Sequence, residues 1–276
     1  MQKKGMKMET VLKKKMLGAL TMIVFSTLVL TSCGSGASSA DSGASGNRIG
    51  IIGAMEEEVA TIKEHMTDKK ETTVAGMVFC EGKLDGKDVV VVKCGIGKVN
   101  AGVCTQTLID RFSADSVINT GVAGSLDADI DIGDIVVSTD AVQHDFDLTP
   151  IGYAPGELDS PKTVAISADE KMREKAVAAV KEIASDVSVF EGRVCSGDQF
   201  IASREQKERI VSTFGGMCCE MEGAAIAQVC SLNDTPFVII RAISDKADDS
   251  EELSYEQFEK AAAEHCASVT EYMVTH

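Results

Sequence analysis

Along residues 48–276, short apolar runs alternate with stretches in which apolar residues recur every three or four positions, the pattern of strands interleaved with amphipathic helices. Ile49-Gly50-Ile51-Ile52-Gly53 reads as a first strand, after which Val59, Ile62 and Met66 fall on one helical face. Asp88 to Lys93, Ser116 to Asn119, Asp134 to Ser138, Val187 to Ser196 and Phe237 to Ile243 read as further strands, and a short one near Met217 ends at Glu220. Three capping-box sequences, Ser167-x-x-Glu170, Ser203-x-x-Gln206 and Ser254-x-x-Gln257, predict helix starts, because the serine and the Glu or Gln can satisfy free amides of a first turn. After the first, Met172, Ala176, Ala179, Val180 and Ile183 form one stripe; after the third, Phe258, Ala262, Cys266, Val269 and Met273 form another. The alternation runs without a break in composition, which predicts a single α/β domain over residues 48–276.

The first 47 residues are patterned differently. A lysine-rich start precedes Met16 to Leu30, fifteen residues without a charge. That is short for a membrane span, which needs about 20 apolar residues, and right for the hydrophobic part of a secretory signal. The run closes with Leu30-Thr31-Ser32-Cys33, which resembles the bacterial lipoprotein signal. By that resemblance residues 1–32 are removed and Cys33 becomes a lipidated amino terminus, anchoring an exported protein to the membrane. Residues 33–47 are almost wholly Gly, Ser and Ala and predict a flexible tether.

Charge sharpens this division. The whole chain holds 27 basic and 43 acidic side chains, a formal −16, but six lysines and only one glutamate lie in residues 1–32. The remaining 244 residues therefore carry a formal −21. A domain this acidic has no positive surface with which to release counterions from nucleic-acid phosphates, so nucleic acid is excluded as a partner. Its eight cysteines are scattered through apolar periodic segments and read mostly as free core thiols. No CxxC or HExxH occurs, and with four histidines in all the sequence offers no metal site and implies no cofactor.

Open α/β sheets bind ligands beyond the carboxyl ends of their strands, so the points where apolar runs stop are the places to seek chemistry. The first strand stops before Glu56-Glu57-Glu58, and the run through Val117-Ile118 stops at Asn119-Thr-Gly121-Val-Ala-Gly124. The remaining two stops present Glu220-Met-Glu222 and Arg241-Ala-Ile-Ser244-Asp245. Glu56 to Glu58 could equally be acids of a first helical turn, and Glu220 or Glu222 could form a structural ion pair with Arg241. Spacing alone supports an α/β domain with an acidic cleft.

Seven blocks in order narrow the reading: Gly53-Ala-Met-Glu-Glu-Glu-Val59, Gly95-Ile-Gly-Lys-Val99, Asn119-Thr-Gly-x-Ala-Gly124, Gly133-Asp-Ile-Val-Val137, Ser196-Gly-Asp-x-Phe-Ile201, Glu220-Met-Glu222 and Arg241-Ala-Ile-Ser-Asp245. Together they resemble the motifs of the 5′-methylthioadenosine/S-adenosylhomocysteine nucleosidases. The resemblance implies a three-layer nucleoside phosphorylase-like fold, a central twisted mixed sheet flanked by helices, and a homodimer. It also implies hydrolysis of adenine nucleosides at the N-glycosidic bond without a metal or cofactor.

In that resemblance Asp245 would be the acid that protonates the departing purine, oriented by Ser244, and Glu58 would deprotonate the attacking water. Glu222 would accept hydrogen bonds from the ribose hydroxyls, with Met221 against the sugar and Glu220 beside it. Phe200 would stack on adenine and the Ile201 backbone would read its edge. Met55 and Ile96 would help line the pocket, Ala123 and Gly124 would let the chain approach the ligand, and Arg241 would order the water and carboxylates. Three positions depart from the pattern or bear on the 5′-substituent. Val122 replaces the usual serine, Tyr255 replaces a phenylalanine, and Ile151 stands where the family completes a partner subunit's pocket.

Rival readings keep the same site. A purine nucleoside phosphorylase would need an anionic phosphate where Glu58 stands, which argues against it. A futalosine-type nucleosidase differs only in substrate. A surface nucleoside-binding lipoprotein without catalysis would need neither Glu58 nor Asp245.

Overall fold

In the computed structural model the described residues are 47–185, 187–248 and 251–276, the side chains of 251–257 excepted. The signal-like segment, the tether and Cys33 lie outside them. In chain order the elements are β1 (Ile49–Gly53), α1 (Ala60–His65), β2 (Thr67–Val74), β3 (Met77–Leu84), β4 (Lys87–Lys93) and α2 (Lys98–Phe112). They continue with β5 (Ser116–Ser125), β6 (Ile135–Gln143), β7 (Ala165–Ser167), α3 (Glu170–Ile183), β8 (Val189–Ser196) and α4 (Arg204–Phe214). The last four are β9 (Cys218–Glu220), α5 (Gly223–Leu232), β10 (Phe237–Asp245) and α6 (Glu251–Thr275).

Side-chain alternation on the central strands divides the core into two layers. Ile52, Val90 and Val92 point toward α2 and α5, where they meet Ala101, Cys104, Leu108 and Ile226. Ile51, Val89 and Val91 point the other way, toward α3 and α6, where they meet Ala176, Val180, Cys266 and Val269. A strand covered on both faces must be apolar at every position, which is why β1 and β4 read as continuous runs rather than alternating ones. Phe79 of β3 stacks on Phe112 of α2 with ring centroids 4.6 Å apart. Truncating a side chain such as Ile52 to Ala in so closed a layer costs about 2–5 kcal/mol.

The sheet is mixed, and part of it closes. β1 lies parallel between β4 and β5, and β3 and β2 extend that side antiparallel. On the other side β5 pairs with β10, β10 with β6, β6 with β8, β8 with β9, and β9 returns to β5. Only Gly124↔Cys219 and Ser125↔Cys218 make that last pairing, yet it brings Glu220 beside the end of β5. This is the fold the motifs imply.

Several boundaries differ from the sequence reading. Ser203 does cap α4, its hydroxyl accepting from Gln206 N at 3.3 Å. Asp169, not Ser167, caps α3, its carboxylate accepting from Met172 N at 2.9 Å, because Ser167 is held in β7 opposite Asp140. α6 starts at Glu251, so Ser254 lies inside the helix and not at its N-cap. β5 and β10 do not stop at Asn119 and Ile243 but run on to Ser125 and Asp245. All eight domain cysteines are buried and free.

Candidate active site

At the carboxyl ends of β1, β5 and β10, capped by β9 and the loop before α2, lies a cavity with about 590 Å³ of empty space, part of it open to solvent. Its mainly apolar walls with a few convergent polar groups have the make-up of a small-molecule site. Glu58, Glu220, Glu222, Ser244 and Asp245 reach its wall from three separate chain segments.

Glu58 stands in the turn before α1 and is 2 % exposed. Its Oε2 accepts from Ala54 N at 2.5 Å and Met55 N at 3.0 Å, and its Oε1 from Val122 N at 3.1 Å. Three amides from two strand ends thus fix the carboxylate. Burial raises its pKa above the ordinary carboxylate value, against the pull of Arg241 and the three amides. A Cβ at Gly121 would collide with Glu58 Oε1 and Arg241 Nη1, so the glycine in that motif makes room for side chains rather than for ligand.

Arg241 projects from the middle of β10 and is fully buried, behind the cavity rather than on its wall. Its Nη2 donates to Asn119 Oδ1 at 2.5 Å and to Glu220 Oε2, and lies 3.8 Å from Glu222 Oε2. Burial alone would lower its pKa, but Glu220, Glu222 and Glu58 outweigh that and hold the guanidinium charged. Glu220 also accepts from Ser196 Oγ, from Glu222 N at 3.1 Å and from Gly223 N at 2.8 Å. Both oxygens of Glu220 are therefore engaged by protein, Oε1 by Ser196 and Oε2 by Arg241 and the two amides. Glu222 Oε1 accepts from Gly97 N at 2.7 Å. Burial, with the neighbouring Glu220 charge, pushes the Glu222 carboxyl up to about 8.

Across from Glu58, Asp245 ends β10 and is 3 % exposed. Ser244 Oγ donates to its Oδ2 at 2.8 Å and Ala247 N to its Oδ1 at 2.9 Å. A Cβ at Gly124 would come within 2.7 Å of Oδ1, which explains a glycine at that point of β5.

Met55, Ile96, Ala123, Gly124, Phe200, Ile201 and Met221 also line the cavity, as do Ala54, Val122, Gln199 and Cys219, which were not singled out as site residues. Ile96 and Phe200 stand at its rim, 55 % and 52 % exposed. Ile151 is away from this cavity and 71 % exposed. The Tyr255 side chain lies outside the described residues. Asn119 and Ser196 were also missed as supports for the carboxylates, although each opens one of the motifs; a buried polar residue at a strand end beside a glycine was the available signal. Among the described residues no group of three or more His, Cys, Asp and Glu could hold a metal.

Residues 48–275 match the phosphorylase superfamily. A 5′-methylthioadenosine/S-adenosylhomocysteine nucleosidase of Anoxybacillus flavithermus is 44 % identical over 227 residues, spanning 82 % of this chain and 97 % of that protein. The nucleosidase of the same name from Neisseria meningitidis, solved in complex with methylthio-immucillin-A, superposes with a TM-score of 0.80 at 39 % identity, covering 83 % of this chain and 99 % of that one. A Helicobacter pylori structure described as futalosine hydrolase superposes with a TM-score of 0.79 at 36 % identity, covering 83 % and 97 %.

Proposed function

Starting from the fact that this chain belongs to the 5′-methylthioadenosine/S-adenosylhomocysteine nucleosidases of the phosphorylase superfamily, and is thus a hydrolase of N-glycosyl compounds, we propose how its own residues divide the work. The reaction is hydrolysis of methylthioadenosine and S-adenosylhomocysteine to adenine and the thio-substituted ribose. The observation that carries the assignment is that Glu58 and Asp245, each buried and each oriented by its own donors, line one cavity from different strands.

Cleavage of the C1′–N9 bond leaves the electron pair on adenine while Asp245 delivers a proton to N7. The sugar becomes oxocarbenium-like, and the buried carboxylates stabilise that developing positive charge. A water held by Glu58 attacks C1′ and gives its proton to Glu58, whose burial-raised pKa makes it a better proton acceptor than an ordinary carboxylate. Glu222 accepts from the ribose hydroxyls, Met221 packs against the sugar, Phe200 stacks on the base, and the Ile201 backbone reads its edge. Arg241 and Glu220 act from behind, holding the carboxylates in place. Glu58 disfavours an anionic nucleophile in the water's position, which supports hydrolysis over phosphorolysis.

The likeness to a structure described as futalosine hydrolase motivates a second substrate, and adenine release from methylthioadenosine, S-adenosylhomocysteine, 5′-deoxyadenosine and a futalosine-type substrate ranks them. Tight binding with no adenine released from any of them would favour a binding protein instead.

Ile96 just before α2 and Val99 and Val103 in its first turns are exposed at 55 %, 77 % and 42 %, and Ile96 also lines the cavity with Phe200. In this reading a second copy covers these three side chains, and the partner supplies its own Ile151 to the 5′-substituent. The protein is exported and anchored through lipidated Cys33, with residues 33–47 as tether; absence of label after growth with a palmitate analogue would refute the anchor.

A further inference from the structure

Lys98, Asp145 and Asp198 form a closed ring beside the base end of the cavity. Lys98 N donates to Asp198 Oδ1 at 2.8 Å, Asp198 N donates to Asp145 Oδ2 at 2.8 Å, and Lys98 Nζ returns to Asp145 Oδ1 at 2.5 Å. The three residues come from three separate segments: the first residue of α2, the loop after β6, and the loop after β8. The Lys98 and Asp145 side chains are only 16 % and 17 % exposed, so their pairing is shielded from the solvent that weakens surface ion pairs. Burial alone would raise the Asp145 carboxyl, but Lys98 and the Asp198 amide outweigh it and hold the group below its ordinary value.

What the ring touches gives it a task. Asp198 immediately precedes Gln199, Phe200 and Ile201, the loop that lines the base end of the cavity. Lys98 immediately follows Gly97, whose amide donates to Glu222. Gly97 has φ +100°, a conformation glycine adopts freely, and this lets successive amides reach Glu222 and Asp198. A Cβ at Gly197 would collide with His144, so that loop is seated closely on the segment carrying Asp145. Lys98 Nζ also donates to Gln143 Oε1 at 3.1 Å, and Gln143 Nε2 to Gln228 Oε1 at 2.7 Å. Gln228 belongs to α5, the helix that begins directly after Glu222. Glu222 is thereby bracketed by the ring on two sides, while neither Glu58 nor Asp245 touches it.

We propose that Lys98, Asp145 and Asp198 are positioning residues, a clasp that sets the base-binding loop and the ribose-binding Glu222 at a fixed separation so that one nucleoside spans both. This rests on the nucleosidase reading for its substrate, not for its geometry. Loss of the clasp weakens nucleoside binding more than it slows the chemical step.

The test uses Lys98→Met, Asp145→Asn and the double variant of the full chain, with methylthioadenosine as substrate and amide hydrogen exchange as a readout independent of turnover. Each single variant is expected to raise KM about tenfold while kcat falls less than threefold. The double variant is expected to match the worse single one, since residues in one network are not additive. Exchange over residues 197–201 speeds up while exchange over α3 is unchanged. Unchanged exchange over 197–201, a fall in kcat at constant KM, or a double variant equal to the product of the singles would each overturn the clasp. Should Lys98→Met fail to fold, Asp145→Asn, which keeps an acceptor for the Asp198 amide, carries the same exchange and KM expectations. If the wild-type protein releases no adenine, the nucleosidase reading fails and the clasp stands or falls on exchange alone.

Discussion

At the floor of the cavity Glu58 accepts from three backbone amides and Glu220 from Ser196, Arg241 and two amides, whereas at the rim Ile96 and Phe200 hold apolar surface half open to solvent. The floor is assembled entirely within one chain, and its polar groups are held before any ligand arrives. Such preorganisation is what electrostatic catalysis needs, since dipoles already in place cost no rearrangement in the transition state. The rim has the opposite character. It supplies contact area rather than charge, and it carries exposed aliphatic surface at Ile96, Val99 and Val103. On the proposed division of labour the floor sets the chemistry and the rim contributes to nucleoside binding, so changes to each should separate in kinetics.

The largest effect belongs to the floor. Asp245→Asn is expected to lower kcat by about 10²- to 10⁴-fold, the usual worth of a general acid, with methylthioadenosine binding changed only a few-fold in calorimetry. Near-normal turnover would remove the acid assignment. Glu58→Gln should abolish the acidic limb of the kcat/KM profile, which in the wild type lies above the ordinary carboxylate range because burial raises that group.

At the rim, Phe200→Ala should act chiefly on KM. Base stacking is worth about 1–3 kcal/mol, so KM should rise roughly 5- to 150-fold with a much smaller change in kcat. A dominant fall in kcat instead would mean that rim and floor are not separable.

Stability offers a third contrast. With Glu222 at about 8 in the fold and 4.5 as its ordinary value, the native state keeps a proton that the unfolded chain has released between those pH values. The contribution is fully favourable below about 4.5 and is lost as pH rises toward 8, with Glu58 acting in the same direction. Thermal unfolding should therefore show Glu222→Gln losing less stability than wild type between pH 6 and pH 9, although the variant is a poorer enzyme. Parallel curves would mean that Glu222 is not held at this cost.

The smallest effect is expected at the thiols. Burial raises Cys94, Cys195 and Cys230 to about 12, so a disulfide-exchange reagent at pH 7.5 should label the folded domain slowly and the unfolded chain fully.

The floor and the rim residues Ile96 and Phe200 were legible in the sequence motifs, and the closure of the sheet was not. The Ser203 cap and the acidic strand ends are local signals that emerge where the sequence places them; Val59, Ile62 and Met66 are all buried as expected, but the helix between them spans only Ala60–His65. Arg241 as a fully buried group is not local. Asn119 meets it from β5, the direct neighbour of β10, but Glu220 reaches it only through the short pairings of β9 with β5 and β8. β2 escaped notice because it is exposed along most of its length and carries Thr, Asp, Lys and Glu, so tertiary pairing with β3, not hydrophobic pattern, makes it a strand. Gly121 and Gly124 read as points of close approach to a ligand beyond the end of a strand, yet β5 runs through both, and the space of a Cβ is filled by Arg241 and Glu58 at the first and by Asp245 and Ala247 at the second.

The central claim is that water, activated on the Glu58 floor, takes adenine from methylthioadenosine. Adenine release in phosphate-free buffer, repeated with added phosphate and followed by phosphorus NMR, tests it most directly. The account predicts the same rate in both and no phosphorylated sugar; release that requires phosphate and yields a ribose 1-phosphate would contradict it.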